Sequence, residues 1–122
     1  MKLNFESDKP IYMQIAHSIE DDILKDIFEE EGQLMSTTEI SINFKINPAT
    51  AAKGINLLVN DGIVHKKRGV GMFVTKGAKE KILMNRKEEF YKMFILTMID
   101  EAAKLKIGKD EIIKMIEGSW QK

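Results

Sequence analysis

The sequence predicts an α+β fold, mainly helical, on three observations. Apolar residues recur at helical spacing before and after a central stretch, residues 47–74. That stretch opens with a strong helix start and a glycine stop, Asn47-Pro48 and Asp61-Gly62. Two short apolar runs follow at once, joined by a basic glycine turn, Lys66-Lys67-Arg68-Gly69-Val70-Gly71. A short capped helix running directly into a hairpin suggests a winged helix-turn-helix, here with a two-helix C-terminal extension.

Residues 1–9 are polar and read as an extended lead-in, and Pro10 suits the first turn of a helix, where its missing N–H has no partner to lose. Ile11, Ile15, Ile19, Ile23 and Ile27 recur every four positions with Leu24 beside them, predicting an amphipathic first helix over about residues 10–26. Residues 28–33 break the period and lead to Leu34-Met35, a loop pinned by apolar anchors. Ser36-Thr37-Thr38-Glu39 is a capping box, so a short second helix runs from Thr37 to about Phe44 with Ile40 and Phe44 on one face.

Lys45-Ile46 forms a tight turn before Asn47, which can cap a third helix with Pro48 as its first residue. Ala51, Gly54, Ile55 and Leu58 follow core-facing spacing, leaving Ala49, Ala52, Lys53 and Asn56 on the opposite face. Residues 63–67 and 72–75 are the two hairpin strands. After Gly77, Ile82, Leu83, Phe90, Met93, Phe94, Met98, Ala102 and Leu105 predict one long fourth helix ending before Gly108. Asp110-Glu111 opens a fifth, with Ile112, Ile113, Ile116 and Trp120 as its apolar face.

At 122 residues with 43% hydrophobic and 31% charged side chains, the chain has the composition of a folded protein. It has no cysteine, which excludes disulfides and thiolate metal sites. Without a bilayer-length apolar run or a signal-peptide core in residues 1–10, a cytoplasmic protein is expected, with no membrane partner. Net charge is zero but unevenly spread: residues 1–32 carry −6, residues 33–75 carry +3 and residues 76–122 carry +3. The sign over the central region is the one that attracts phosphates.

In a helix pair of this kind the start of the second helix enters the major groove. The candidate DNA-binding residues there are Asn47, Ala49, Thr50 and Lys53, with Ala52 beside them. Lys53 can donate to guanine or phosphate, Asn47 and Thr50 can hydrogen-bond, and alanine methyls can pack on thymine; no arginine is offered for bidentate readout. Lys66, Lys67 and Arg68, beside Gly69, supply charge to a hairpin tip able to approach the backbone, and Lys45 adds to it from the turn. The bland alternatives are helix capping and a solvated turn. His17 and His65 lie far apart without ligand spacing, and the acidic residues 20–22 and 26 read as a solvated face, so no catalytic site, metal or cofactor is expected. Phe90, Phe94, Met98, Ile112 and Ile116 form an apolar surface too long for the preceding residues to cover, which a homodimer explains; folding back on the chain's own core is the alternative.

The ordered blocks Pro10-Ile11-Tyr12 with Gln14-Ile15, Gly32 with Leu34 through Glu39, Asn47-Pro48-Ala49-Thr50 with Lys53-Gly54, and Gly69 through Val74 resemble the GntR superfamily of bacterial transcription regulators, in its short YtrA-like subfamily. The resemblance covers about residues 10–78 and implies a dimeric repressor whose C-terminal helices pair, often acting on its own operon and on neighbouring transporter genes. It implies DNA contacts from Thr37 and Thr38, from Asn47, Ala49, Thr50 and Lys53, and from Arg68 and Gly69. Thr38 stands where most relatives carry arginine, and Pro48 and Ala52 where the larger subfamilies often do, Pro48 being usual in the short one. The tail is too short for the metabolite-binding domain of the larger subfamilies, so a small-molecule effector is not specified. The expected organisation is a DNA-binding domain over residues 1–77 and a dimerisation tail over residues 78–122. The expected function is sequence-specific regulation of transcription by repression at a near-palindromic operator; the rival is a protein-interaction module that retains the fold.

Overall fold

The computed structural model describes residues 1–121. The chain divides into two compact units, Met1–Leu83 and a second that begins at Met84.

In the first unit, α1 (Ile11–Leu24) places Ile15, Ile19 and Ile23 fully in the core. Each such side chain contributes about 1.5–3 kcal/mol on burial. The helix stops short of the expected boundary. Lys25 caps it, Asp26 turns left-handed at φ 60°, and the Asp22 carbonyl accepts from the N–H groups of both Ile27 and Phe28. Ile27 is therefore not the last member of the buried stripe but 62% exposed, and Phe28 packs on the core in its place.

α2 (Thr37–Phe44) starts at the capping box, with the Ser36 hydroxyl accepting from the Glu39 N–H and the Glu39 carboxylate accepting from the Ser36 N–H, both at 3.0 Å. α3 (Pro48–Asn60) buries Ala51, Gly54, Ile55 and Leu58, the predicted face, against α1 and α2. It ends in a Schellman arrangement: the N–H of Gly62 donates to Val59 O at 3.0 Å and that of Ile63 to Leu58 O at 2.9 Å. Gly62 sits at φ 74°, a conformation costly for any residue with a Cβ.

The antiparallel strands β1 (Val64–Lys67) and β2 (Gly71–Val74) pair Val64 with Val74, His65 with Phe73, Lys66 with Met72 and Lys67 with Gly71. Pleating turns Val64 and Val74 into the core. The loop before α2 also pairs along the outer edge of β2: Leu34 N–H donates to Met72 O, Val74 N–H to Gly32 O and Glu31 N–H to Val74 O, at 2.7–2.9 Å. That edge is thus covered rather than left open.

α4 (Ala78–Phe90) begins in the first unit, where Ala78 and Ile82 are buried. The predicted long fourth helix is not uniformly α-helical. A π-helical turn, Tyr91–Ile95, separates α4 from α5 (Leu96–Lys104), closed by an i→i+5 bond from Leu96 N–H to Tyr91 O. After Lys106 at φ 58°, α6 (Lys109–Ser119) follows, with Asp110 and Glu111 in its first turn. Trp120 is not part of its apolar face: the helix ends at Ser119, and Trp120 is extended and 71% exposed.

Candidate nucleic-acid interface

The turn between α2 and α3 is closed by two contacts of Ser41 with Ile46. The Ser41 hydroxyl donates to Ile46 O at 2.7 Å, and Ser41 O accepts from Ile46 N–H at 3.0 Å. Between them Lys45 adopts the left-handed conformation, φ 53° and ψ 50°, which directs the chain sharply into α3 while Ile46 is buried. Asn47 Oδ1 accepts from Ala49 N–H at 2.8 Å, so the carbonyl end of this side chain caps α3 and its amide hydrogens are what it can offer DNA.

None of the predicted contact residues is buried. Thr38, Lys45, Asn47, Ala49 and Lys53 are exposed, while Thr37, Thr50 and Ala52 are half-buried. The α1–α3 approach brings Tyr12 under Lys53, whose ammonium lies 4.0 Å from the ring centroid. Gly54 permits that approach: a Cβ there would lie 2.9 Å from Tyr12 O and 2.9 Å from Ile15 Cγ2.

On the hairpin, Lys66, Lys67, Arg68 and Gly69 are all exposed. Val70 N–H donates to Lys67 O at 2.9 Å, and Gly69 at φ 75° supplies the left-handed residue of this turn. Alternation places Lys67, His65 and Phe73 on one face of the strands and Lys66 on the other. Lys67 Nζ lies 4.2 Å from the Phe73 centroid, and the Phe73 and His65 rings stack at 6.3 Å. His65 Nδ1 is 3.0 Å from Thr75 Oγ1, so this histidine is engaged inside the hairpin. Gln33 Nε2 donates to Val70 O at 3.3 Å and ties the tip to the preceding loop.

The base of the hairpin is joined to α4 by Glu30, whose carboxylate accepts from Gly77 N–H and Lys79 N–H, each at 3.0 Å. Those two bonds, with the Lys79 charge, hold the Glu30 carboxyl below its ordinary value against the opposing effects of desolvation and Asp26. Lys79 also pairs with Asp26 at 2.9 Å. Glu30 and Asp26 therefore each join the segment after α1 to the start of α4. Among the described residues no three His, Asp or Glu side chains form a metal-sized group.

In the second unit, Met98, Ile112 and Ile116 line one apolar cleft of about 350 Å³ between α5 and α6. Phe90 and Phe94 do not line it; they stand beside each other at 5.4 Å between centroids, 56% and 59% exposed. Among the described residues no helix is long and apolar enough to cross a membrane.

The sequence gives Tyr12, Gln33 and Glu30 no part in the interface, Tyr12 entering only through the Pro10-Ile11-Tyr12 block. A partial signal existed for Tyr12: Gly54 on the core-facing stripe marks a close helix approach, and its neighbour is Lys53. Gln33 and Glu30 act on residues 37 and 47 positions away, and nothing in their local sequence signals it.

A capped helix pair with an exposed reading helix, followed by a basic two-stranded wing, defines a DNA-binding protein of the winged helix-turn-helix class. The gntR family of bacterial regulatory proteins matches residues 11–74, from the first residue of α1 to the last of β2. The chain belongs to that family; it is a transcriptional regulator and not an enzyme. It is 28% identical over 117 residues to the uncharacterized HTH-type transcriptional regulator YhcF of Bacillus subtilis, covering 96% of this chain and 95% of YhcF. It is 28% identical over 104 residues to the HTH-type transcriptional repressor YtrA of the same organism, covering 85% of this chain and 73% of YtrA. A GntR-family protein of known crystal structure from Bacteroides thetaiotaomicron superposes with a TM-score of 0.76 at 37% identity, covering 88% of this chain and 94% of that one.

Proposed function

We propose that the chain acts in the cytoplasm as a homodimeric repressor that binds a near-palindromic operator. Residues 1–77 read DNA and residues 78–122 pair the two copies. The observation that carries the reading is the combination, in one unit, of a capped and exposed α3 start with a glycine-tipped wing whose three cations are all exposed. In this reading the α3 start enters the major groove, with Lys53, Asn47, Thr50 and the Ala49 methyl meeting base edges or phosphates. Thr37, Thr38 and Lys45 contact the backbone near the start and end of α2, and Lys66, Lys67, Arg68 and Gly69 hold the phosphates beside it.

The dimer reading is supported by unburied apolar area in the second unit: Phe90, Phe94 and Ile116 are more than two-fifths exposed, with Tyr91, Met93 and Ile99 similarly open. Two-fold pairing places two reading heads on half-sites roughly 34 Å apart or a multiple of that spacing. Repression has the support of a curated relative, YtrA, named as a repressor.

The test is selection of bound duplexes from a random pool, then affinity on the enriched sequence at two salt concentrations. Enrichment of an inverted repeat, with affinity falling steeply as salt rises, is the expected result. Binding that is weak on every duplex or flat with salt overturns the proposal.

A further inference from the structure

We infer that Tyr12 is a positioning residue for Lys53, holding the lysine's charge at the DNA face of α3 without neutralising it. The inference rests on the reading that Lys53 meets DNA. A lysine on an exposed helix face loses much rotamer freedom when it is immobilised on a nucleic acid, so a protein that restrains it beforehand reduces that cost. The usual restraint is a carboxylate, which cancels the charge being restrained. Lys53 has no carboxylate at ion-pair distance among the described residues. Its ammonium instead lies 4.0 Å from the centre of the Tyr12 ring. A ring face attracts a cation through its quadrupole yet carries no net charge, so the full positive charge stays available to a phosphate or a guanine edge.

The backbone that carries the ring is itself fixed. Tyr12 lies in the first turn of α1, two residues after Pro10. The neighbouring Gln14 is 9% exposed and clamps the lead-in, donating to Asn4 O at 2.9 Å and Lys9 O at 2.8 Å. Gly54, next to Lys53, brings the α3 backbone so close that a Cβ would lie 2.9 Å from Tyr12 O. The backbones that carry the ring and the lysine are thus set against each other by the α1–α3 packing of the domain core.

The test is a double-mutant cycle on the duplex selected by the wild-type protein, with binding read by fluorescence anisotropy at two salt concentrations. The variants are Tyr12→Phe, Tyr12→Leu, Lys53→Ala and the Tyr12→Leu, Lys53→Ala pair, each checked for native folding by circular dichroism. Tyr12→Phe keeps the ring and is expected to bind like wild type, whereas Tyr12→Leu weakens binding about two- to fivefold. In the Lys53→Ala background Tyr12→Leu has no further effect. In the free protein the Lys53 side-chain protons show a ring-current shift in NMR spectra that Tyr12→Phe preserves and Tyr12→Leu abolishes. Additive losses in the cycle, equal losses for Tyr12→Phe and Tyr12→Leu, or tighter binding by Tyr12→Leu each overturn the inference; the last makes the ring a parking place for the lysine. A wild-type protein that binds no duplex overturns the DNA reading and this role with it, while the ring-current shift still reports whether the contact exists.

Discussion

Gly62 and Glu30 are two single residues on which the domain's joints depend, for different reasons. Gly62 terminates α3 at φ 74°, and the atom nearest an added Cβ is the flexible end of Lys81, so the strain of Gly62→Ala lies in the backbone and not in a clash. A loss of about 1–2 kcal/mol is expected, measured by chemical denaturation. Glu30 links loop to helix through a carboxylate, and its lowered pKa gives that link a pH dependence. Because the unfolded chain holds this proton at a higher pH than the folded one, the contribution is present above the ordinary glutamate value of 4.5 and fades as pH falls through the lowered folded value. Glu30→Gln should therefore melt earlier than wild type at pH 7, and the gap should close in strongly acidic buffer. A gap that is the same at both pH values would show that charge is not what matters there.

At the scale of elements, the proposed reading divides the work of holding DNA between α3 and the wing. The α3 start offers one cation, Lys53, amid short polar and methyl-bearing side chains, while the wing offers three cations around a glycine tip. Lys53→Ala should change sequence preference, by about 1–3 kcal/mol at the affected base pair. Arg68→Ala should weaken binding on all sequences alike and flatten the salt slope. If the two substitutions act equally on every duplex, this division fails. Both α3 and the wing rest a lysine on an aromatic ring, Lys53 on Tyr12 and Lys67 on Phe73, so the charge of each is restrained without being cancelled. The π-helical turn shows how an element can depart from its own pattern. The apolar residues of 82–105 read as one stripe at α-helical period, but Tyr91–Ile95 takes an extra residue into the turn and so interrupts that period.

At the scale of the whole molecule, the proposed dimer sets the second unit's exposed apolar residues against a second copy. Phe94→Asp places a charge on that surface and should yield monomer in sedimentation, together with a loss of operator affinity well beyond that of any single contact, since two linked heads bind far more tightly than one. An unchanged mass would remove Phe94 from the interface. By itself the sequence determined the element order, the capping box at Ser36, the Asn47-Pro48 start, the Gly62 stop and the buried face of α3, because each depends on residues within a turn or two of one another. It also placed the cations of the wing, since a short hairpin leaves its tip in solvent. Only the tertiary structure decided that Ile27 and Trp120 leave their stripes, that residues before α2 cover the edge of β2, that Tyr12 lies under Lys53, and that Gln33 and Glu30 bond to the hairpin tip and the start of α4. Ile27 and Trp120 leave at helix ends, but the other contacts join residues far apart in the chain, and their partners are chosen by how the packed helices and hairpin meet, which no local period or cap encodes.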